Sequence, residues 1–485
     1  MKVMLAIWVH GYLRIEGVPW SDGKWLTHNP YNSLFDIDDF YTDSLALSYQ
    51  KKHYRYMIAR WGYSQSLGIW EIINEMHGTT GWVRNQTASK RWVENVHAYF
   101  KAHDPFQRPT TASFGGGEGS SHYTETDELG DIVNVHFYEQ HGWPNPYPEN
   151  VVRSGLTNVV NETRKLKSKG TRPAFFGEAG YTSMLADHLT EAYSWELHNS
   201  FWAGLCNGMA STPFWWEFNT TEVLTAERLS DYRRFSAFVS DIDFAHQSHV
   251  PSEVWAENTD GYFMGAPNSG FGWLKSYEEK TVSKAPIYLS KTGLNNGNYR
   301  LEWYNTWTGE TVKSDTAICV DGVTWGVVPE AVLELDVAFK MARMEDGGTA
   351  SMLKLYLIKE DTLVDAKQPW LPKVDSTIYK VVCYVSDSDK LLDVSYNGPV
   401  EISIEGDNQS ESFMVELTKG GIVFNYERLG SSGLTITATI EGLGTAELYI
   451  DGITGLGDAE NPDIQGNPLL INYPNPFDQS TCLEF

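Results

Sequence analysis

The stretch Trp70-Glu71-Ile72-Ile73-Asn74-Glu75 decides the fold of the amino-terminal half of this 485-residue chain. Apolar residues interleave with acids after the turn-like residues 66–68, so we predict a buried β-strand over 69–75. Strand alternation places Glu71, Ile73 and Glu75 on one face, with Glu75 outermost. Enclosed parallel barrels do their chemistry at the carboxyl ends of their strands. Glu75 is therefore a candidate catalytic acid, and it needs a partner from another strand.

Working outward, residues 1–248 alternate apolar runs with amphipathic helices, which is typical of an α/β domain with a parallel sheet. The predicted strands cover 2–9, 69–75, 109–114, 132–138, 174–179 and 210–216. The predicted helices cover 39–60, 88–103, 150–169, 189–206 and 226–240. A complete (β/α)8 barrel has eight strands, so six strands indicate part of one.

The pattern changes after residue 248, where short alternating runs are separated by Gly, Asn and Asp turns. We predict an all-β accessory domain over 249–346 and an immunoglobulin-like β-sandwich over 350–452. Residues 453–470 have the composition of a linker. Residues 471–485 begin a further module.

Composition excludes several classes of function. A net charge of −26 argues against nucleic acids and anionic membranes as partners, because both attract basic surfaces. No apolar run is long enough to span a membrane. The 4 cysteines are scattered without metal-binding or disulfide spacing, so we expect no metal and no cofactor. The 18 Trp and 26 Tyr suit either large cores or platforms for sugar rings.

The second acid is predicted at Glu178, where another apolar strand ends in Gly177-Glu178-Ala179-Gly180. Glu139 and Glu217 also end strands but have no flanking glycine, which would let backbone and ligand approach closely. Two glutamates at one end of a barrel suit cleavage of a glycosidic bond. One must keep a raised pKa to protonate the leaving oxygen, while the other stays ionised.

Further side chains are predicted to line the same cleft. His136 and Tyr138 share a face, and Tyr138 is placed to hold the Glu178 carboxylate. Asn74 is expected to bind a sugar hydroxyl. The remaining predicted substrate-binding residues end the first and last strands: His10, Trp215 and Trp216.

Other polar residues have a structural interpretation. We expect Glu71 to be a buried acid paired with an Arg or Tyr. Lone histidines such as His77 and His122 are expected to be ordinary loop residues.

Four motifs, taken in order, resemble those of clan A retaining glycoside hydrolases. They are Trp-Glu-x-x-Asn-Glu ending at Glu75, His-x-Tyr at 136–138, Gly-Glu-x-Gly at 177–180 and Trp-Trp at 215–216. The nearest resemblance is to the cellulase-like family 5, and it covers about residues 1–245. It implies that Glu75 is the acid/base at the end of barrel strand 4 and that Glu178 is the nucleophile at the end of strand 7. The expected fold class is α/β: a (β/α)8 TIM barrel lacking its first two strands in this chain, followed by the two all-β modules.

The two ends of the chain depart from that resemblance. Strands 1 and 2, with the Arg that such enzymes place near the nucleophile, are expected to be missing. The segment Tyr473-Pro474-Asn475-Pro476-Phe477 resembles the start of a type IX secretion sorting domain. These features lead us to expect a fragment of a longer protein that is secreted or displayed on the cell surface, with the secretion machinery as a partner of its tail.

The predicted function is a retaining endo-β-glycanase that acts on a β-linked polysaccharide or oligosaccharide through Glu75 and Glu178. Two alternatives stay open. One is an exo-acting β-glycosidase of the same clan, and the other is a catalytically impaired carbohydrate-binding fragment.

Overall fold

The structure, a computed structural model, describes residues 3–17, 21–116, 129–139, 151–170, 172–181, 191–216, 224–256, 259–277, 279–360, 377–406, 409–428 and 433–450. It divides into two compact units, Met1–Ser236 and Ala237–Phe485. His122, Glu217, the predicted linker and the tail beyond it lie outside the described residues, as does the side chain of Glu139.

The first unit is built on a parallel sheet whose strands follow one another in chain order. The strands are β1 (Val3–Val9), β2 (Leu67–Asn74), β3 (Thr110–Gly116), β4 (Val133–Glu139) and β5 (Ala174–Tyr181). Each predicted strand from 2–9 to 174–179 matches one of these five within three residues. Because all five run in the same direction, their carboxyl ends lie along one edge.

The predicted sixth strand, 210–216, is present as a parallel bridge between Ala179 and Trp215 rather than as a continuous strand. Ladder hydrogen bonds still join it to β5: Phe214 N donates to Phe176 O at 2.9 Å and Trp216 N to Ala179 O at 2.8 Å. The segment therefore extends the sheet beyond β5.

Eight α-helices are described between residues 25 and 239. They are α1 (Trp25–His28), α2 (Ile37–Thr42), α3 (Ser44–Trp61), α4 (Thr80–Arg84), α5 (Gln86–His103), α6 (Leu156–Lys169), α7 (Glu191–Cys206) and α8 (Ala226–Val239). None of the helices described is long and apolar enough to cross a membrane.

The predicted helix over 39–60 is wrong in being continuous, because the chain breaks at Asp43. That residue has an extended backbone, and its carboxylate accepts the N–H groups of Leu45 and Ala46. It is therefore the N-cap of α3, and an N-cap requires non-helical dihedral angles. The predicted helix over 150–169 likewise starts late, at Leu156.

Aromatic side chains dominate the core between the sheet and its helices. Trp70 and Trp92 are fully buried, and Trp92, Val96 and Phe100 form the predicted apolar stripe of α5. Trp8 packs edge-on against Phe40. Much of the aromatic excess thus serves the core.

A buried ion pair ties the amino ends of β2 and β3 together. Arg108, just before β3, binds the Asp104 carboxylate at 2.8 Å and donates to the carbonyls of Leu67, Gly62 and Ser64 at 2.7–2.9 Å. The Trp70 indole N–H donates to the same carboxylate at 3.0 Å. Donors and acceptors are therefore matched at this end of the sheet.

Four antiparallel sheets are described in the second unit, and the first two fall within the predicted accessory domain. One sheet has the order β13-β10-β7 and the other β12-β11-β14-β9-β8-β6. The strands are β6 (Val250–Pro251), β7 (Glu253–Ala256), β8 (Thr259–Ala266), β9 (Ser269–Ser276), β10 (Pro286–Ser290), β11 (Gly297–Tyr304), β12 (Thr311–Cys319), β13 (Thr324–Val327) and β14 (Asp336–Arg343).

The other two sheets form a sandwich of seven strands, with the orders β15-β16-β19 and β18-β17-β20-β21. The strands are β15 (Met352–Glu360), β16 (Thr377–Ser386), β17 (Gly398–Gly406), β18 (Gln409–Leu417), β19 (Gly421–Arg428), β20 (Leu434–Ile440) and β21 (Gly444–Ile450). Alternate residues of β17 and β20 are buried in one core, as their period predicts. A stacked pair, Trp325 and Tyr356, joins this sandwich to the preceding β-sheets.

Candidate active site

Strand register assembles the candidate site at the carboxyl edge of the parallel sheet. His136 on β4 is the direct pairing partner of Glu178 on β5, and Asn74 ends β2. Both glutamates keep some exposure, with 13% of the Glu75 side chain and 16% of the Glu178 side chain accessible. His136 between them is fully buried. The predicted pair of acids therefore meets at an accessible point above a buried imidazole.

The backbone of Glu75 leaves the strand conformation. Its φ of 56° and ψ of 62° lie in the left-handed region, and a 3-10 turn, Met76–Gly78, follows at once. This conformation is uncommon for a residue other than glycine, and at a functional site it marks stored strain. The turn lets Asn74 and Glu75, neighbours in sequence, both reach the site, which regular alternation would forbid.

Glu178 is held by two hydrogen-bond donors and one ion pair. Asn74 Nδ2 donates to Oε1 at 2.9 Å, and the Tyr138 hydroxyl donates to Oε2 at 2.6 Å. His136 Nδ1 lies 3.2 Å from Oε2. Burial alone would raise the pKa of this carboxyl, but these three contacts together lower it. Glu178 is therefore kept ionised and fixed in one orientation.

Glu75 shares the same imidazole. His136 Nδ1 donates to Glu75 Oε1 at 3.0 Å, and His10 Nδ1 lies 3.3 Å from Oε2. One carboxyl oxygen of Glu75 lies within 4.8 Å of one of Glu178. Two like charges at this distance need a cation between them, and the imidazole provides it.

The proton shared between Glu75, Glu178 and His136 resides on the imidazole of His136 rather than on either carboxylate. Burial opposes the imidazolium charge, but hydrogen bonds and attraction from Glu178 and Glu75 outweigh it and raise the pKa of His136 to about 10. Burial also opposes ionisation of Glu75, yet His136 lowers the Glu75 pKa. The raised pKa expected for the acid is therefore absent from the resting site, where the imidazolium carries the proton instead.

A layer of polar side chains lies beneath the pair. Glu71 is buried and its Oε1 accepts a hydrogen bond from Asn134 Nδ2 at 3.3 Å. Burial, with the charges of Glu178 and Glu75, outweighs the lowering effects of His136 and Ser113 and raises the pKa of Glu71 to about 7. Glu71 is a buried acid as predicted, but the expectation of an Arg or Tyr partner is wrong for the contacts described. Its hydrogen-bond partner is the amide of Asn134, because the interior face of the sheet presents short polar side chains at this depth.

Two glycines make room for the arrangement. A Cβ on Gly177 would lie 2.0 Å from Asn134 Oδ1, and a Cβ on Gly115 would lie 2.7 Å from His77 Nε2. His77 itself follows Glu75 in the 3-10 turn, and its Nδ1 accepts the Gly115 N–H at 2.9 Å. His77 is thus a hydrogen-bonded turn residue, in line with the expectation of an ordinary loop residue, and it also forms part of the site's wall.

Two further residues of the site were not identified from the sequence: Ser113 and Asn134. Asn134 stands two residues before His136, and Ser113 lies two residues after Thr111 in a predicted strand. Period-2 counting from those positions could have found both. His77 carried no comparable signal, because turn residues have no fixed facing.

The structure places the other predicted substrate-binding residues at different depths. His10 is buried beside Glu75, whereas Trp216 is 46% exposed. Trp215 is half-buried and packs edge-on against Tyr193 with ring centroids 5.2 Å apart. Contact of any of these residues with a substrate stays a prediction.

Glu75, His136 and Glu178 also form a group that could ligate a divalent cation. The chemistry of the donors fits such an ion poorly, because Nδ1 carries a strongly held proton at hydrogen-bonding distance from both carboxylates. A metal would have to displace that proton. The described geometry is that of a shared proton.

Comparisons with known proteins were made for the whole chain. No family model matches the sequence, and no curated protein matches it. Several solved structures are similar in part. A structure described as a glycoside hydrolase is 12% identical with a TM-score of 0.41, and the match covers 61% of this chain and 69% of that one.

Two other solved structures have named sources. A glycoside hydrolase family 5 protein from Bacteroides vulgatus is 14% identical with a TM-score of 0.41, and the match covers 60% of this chain and 66% of that one. An endo-1,4-beta-D-mannanase from Thermotoga petrophila is 15% identical with a TM-score of 0.30, and the match covers 44% of this chain and 64% of that one. Likenesses at this level assign no function, so the site geometry must carry the argument.

Proposed function

We propose that this chain is a glycoside hydrolase that cleaves β-linked glycans with retention of configuration. Glu178 attacks the anomeric carbon, and Glu75 protonates the leaving oxygen and then deprotonates water. The observation that carries the proposal is the spacing of the two acids.

The nearest carboxyl oxygens of Glu75 and Glu178 are no more than 4.8 Å apart. Retaining glycosidases hold their carboxyl groups roughly 5 Å apart, because the nucleophile itself must touch the anomeric carbon. Inverting enzymes hold them about 6.5–9.5 Å apart to leave room for a water molecule. The spacing found here favours double displacement.

The contacts of Glu178 suit a nucleophile. Its carboxylate must stay ionised and in one orientation. Hydrogen bonds from Asn74 and Tyr138 and the ion pair with His136 do both. We expected Asn74 to bind a sugar hydroxyl. Its Nδ2 donates to the nucleophile Glu178, so its side-chain carbonyl oxygen is the atom that can accept from the sugar.

The contacts of Glu75 suit a residue that exchanges a proton. His136 Nδ1 and Glu75 Oε1 are 3.0 Å apart, so the proton can pass between them along one hydrogen bond. A bound sugar excludes water from Glu75, which disfavours its charge and moves the proton onto it. Glu75 then protonates the leaving oxygen. Once Glu178 is esterified its charge is lost, the Glu75 pKa falls, and Glu75 acts as the base for water.

The finer assignment of fold and substrate belongs to the same proposal. We assign the parallel sheet to a (β/α)8 barrel of the family 5 type and the seven-strand sandwich to the immunoglobulin-like class. The net charge of −26 favours a neutral β-glycan such as a glucan or mannan over an acidic one, and Trp216 offers an exposed stacking face. A secreted location suits a polymeric substrate.

Product stereochemistry tests the proposal. Proton NMR of early hydrolysis of a β-glycan should show the β-anomer released first, and release of the α-anomer would contradict the retaining mechanism. In azide, Glu178→Ala should yield a glycosyl azide of inverted configuration, and Glu75→Ala one of retained configuration. Glu94→Ala, on the exposed face of α5, is the matched control and should keep wild-type turnover. No turnover of β-glucans, β-mannans or aryl β-glycosides by the wild type would remove the proposal.

A further inference from the structure

We propose that Ser113 is a positioning residue that holds the acid/base Glu75 in its left-handed backbone conformation. The inference rests on the proposed function and adds to it a support on the neighbouring strand. The Ser113 hydroxyl contacts the backbone of Glu75 and not the point between the two carboxylates, so Ser113 is not a catalytic residue.

The first observation is a hydrogen bond to the backbone of Glu75. The β-ladder ends at Asn74, so the next N–H has no strand partner. The Ser113 hydroxyl oxygen on β3 accepts it at 2.9 Å. An unpaired N–H at this depth would cost free energy, and only the left-handed turn aims this one at Ser113.

The second observation is the strand on the far side of β3. Asn134 on β4 is the direct pairing partner of Ser113, and its Nδ2 donates to Glu71 Oε1 on β2 at 3.3 Å. This contact links β4 to β2 across the strand that carries Ser113.

The third observation is burial. Ser113 and Asn134 are fully buried, and Glu71 is 3% exposed. Water cannot replace the Ser113 oxygen without reorganising this layer. The left-handed turn at Glu75 is therefore held by the interior of the sheet rather than by the loop that follows.

The consequence is specific to proton donation. If Ser113 loses its oxygen, Glu75 can relax toward an ordinary backbone conformation and its carboxyl moves from the leaving oxygen. The attack by Glu178 is unaffected, because Glu178 is held by hydrogen bonds from Asn74 and Tyr138 and by an ion pair with His136. A glycoside whose leaving group needs no proton should then react normally in the first step.

The experiment compares phenyl and dinitrophenyl β-glycosides of the sugar that the wild type hydrolyses best. For Ser113→Ala we expect kcat/KM on the phenyl glycoside to fall about tenfold, the value of one net hydrogen bond. On the dinitrophenyl glycoside kcat/KM should stay near wild type while kcat and KM fall together, because the second step still needs the base. Ser113→Thr, which keeps the hydroxyl, should restore the phenyl reaction.

Thr111→Val is the matched control. It removes a buried hydroxyl two residues away on the same strand, one that donates to Ile132 O at 2.8 Å. It should leave the ratio of the two kcat/KM values unchanged. If Ser113→Ala does not fold, Ser113→Cys carries the test, since a thiol is a weak acceptor of similar size.

Equal losses on both glycosides for Ser113→Ala, or no loss on either, would overturn the positioning role while leaving the glycosidase proposal standing. A wild type that turns over neither glycoside would instead remove the proposed function and this inference with it.

Discussion

The two ends of the parallel sheet each bury a charged cluster, and the clusters are built in opposite ways. At the amino end, Arg108 distributes its donors over the Asp104 carboxylate and three carbonyls. At the carboxyl end, Glu75 and Glu178 converge on one imidazole, and the buried Nε2 of His136 has no hydrogen-bond partner among the described residues.

The difference teaches which end stabilises and which end reacts. The ion pair of Arg108 and Asp104 uses its donors and acceptors within the protein, so its role is to stabilise the fold. The carboxyl end has three features that lower stability: two like charges close together, a glutamate with a left-handed backbone and an imidazole nitrogen without a hydrogen bond among the described residues. Features of this kind are typical of functional sites. This division agrees with the general rule that parallel α/β sheets bind their ligands at the carboxyl ends of the strands.

Glu178→Gln tests most directly whether the carboxyl end of the sheet serves catalysis rather than stability. It removes the charged nucleophile, so kcat on an aryl β-glycoside should fall about 10⁴-fold or more. The unfolding temperature should change little, because loss of one like charge offsets weaker hydrogen bonds. Calorimetry beside the kinetics measures both. A large loss of stability with residual turnover would mean that this end of the sheet is structural.

Arg108→Met is the reciprocal change at the amino end. It strands the buried Asp104 carboxylate and should cost about 4 kcal/mol of stability, with kcat unchanged at temperatures where the chain stays folded. The half-inactivation temperature reports the loss for the unit that carries the site. Arg84→Ala breaks an exposed pair with Asp38 and should cost less than about 1 kcal/mol. Similar effects for the two variants would refute the stabilising role of Arg108.

Glu71→Gln should make the protein more stable at alkaline pH. The folded-state pKa of Glu71 is raised to about 7 from an ordinary 4.5. Stability is therefore lost as pH rises from about 4.5 to about 7, where the unfolded chain ionises and the buried carboxyl does not, and the full penalty is present above 7. The variant should gain about 3 kcal/mol over the wild type at pH 8.5 and nothing near pH 4. Unfolding in denaturant at the two pH values measures the difference. A gain independent of pH would show that Glu71 does not titrate in this range.

The smallest effect is expected for Tyr138→Phe, which deletes one donor to Glu178. A hydrogen bond to a charged group is worth about 2 kcal/mol, so kcat/KM should fall about 30-fold and not to zero. The control is Tyr99→Phe, which removes a hydroxyl that donates to the Lys51 carbonyl at 3.1 Å. This variant should keep full activity. A loss as large as that of Glu178→Gln would mean that Tyr138 takes part in the chemistry.

Prediction from sequence succeeded where a residue's position follows from the period of its strand. The five strands, the burial of the α5 stripe and the meeting of Glu75 with Glu178 follow from apolar runs of fixed direction and from acids at their ends. It failed at Asp43, where one capping side chain overrode a continuous helical pattern, and at the segment 210–216, which pairs as a bridge.

The sequence by itself determined which acids end strands, because alternation and strand direction are local properties of the chain. Only the tertiary structure decided what those acids do to one another. The 3.0 Å and 3.2 Å contacts that place one proton on His136, and the Ser113 hydroxyl that accepts the Glu75 N–H, join residues 38 to 61 positions apart in the chain. Such contacts depend on the register between strands and on the exclusion of water from the site. Neither can be predicted from the local pattern of residues.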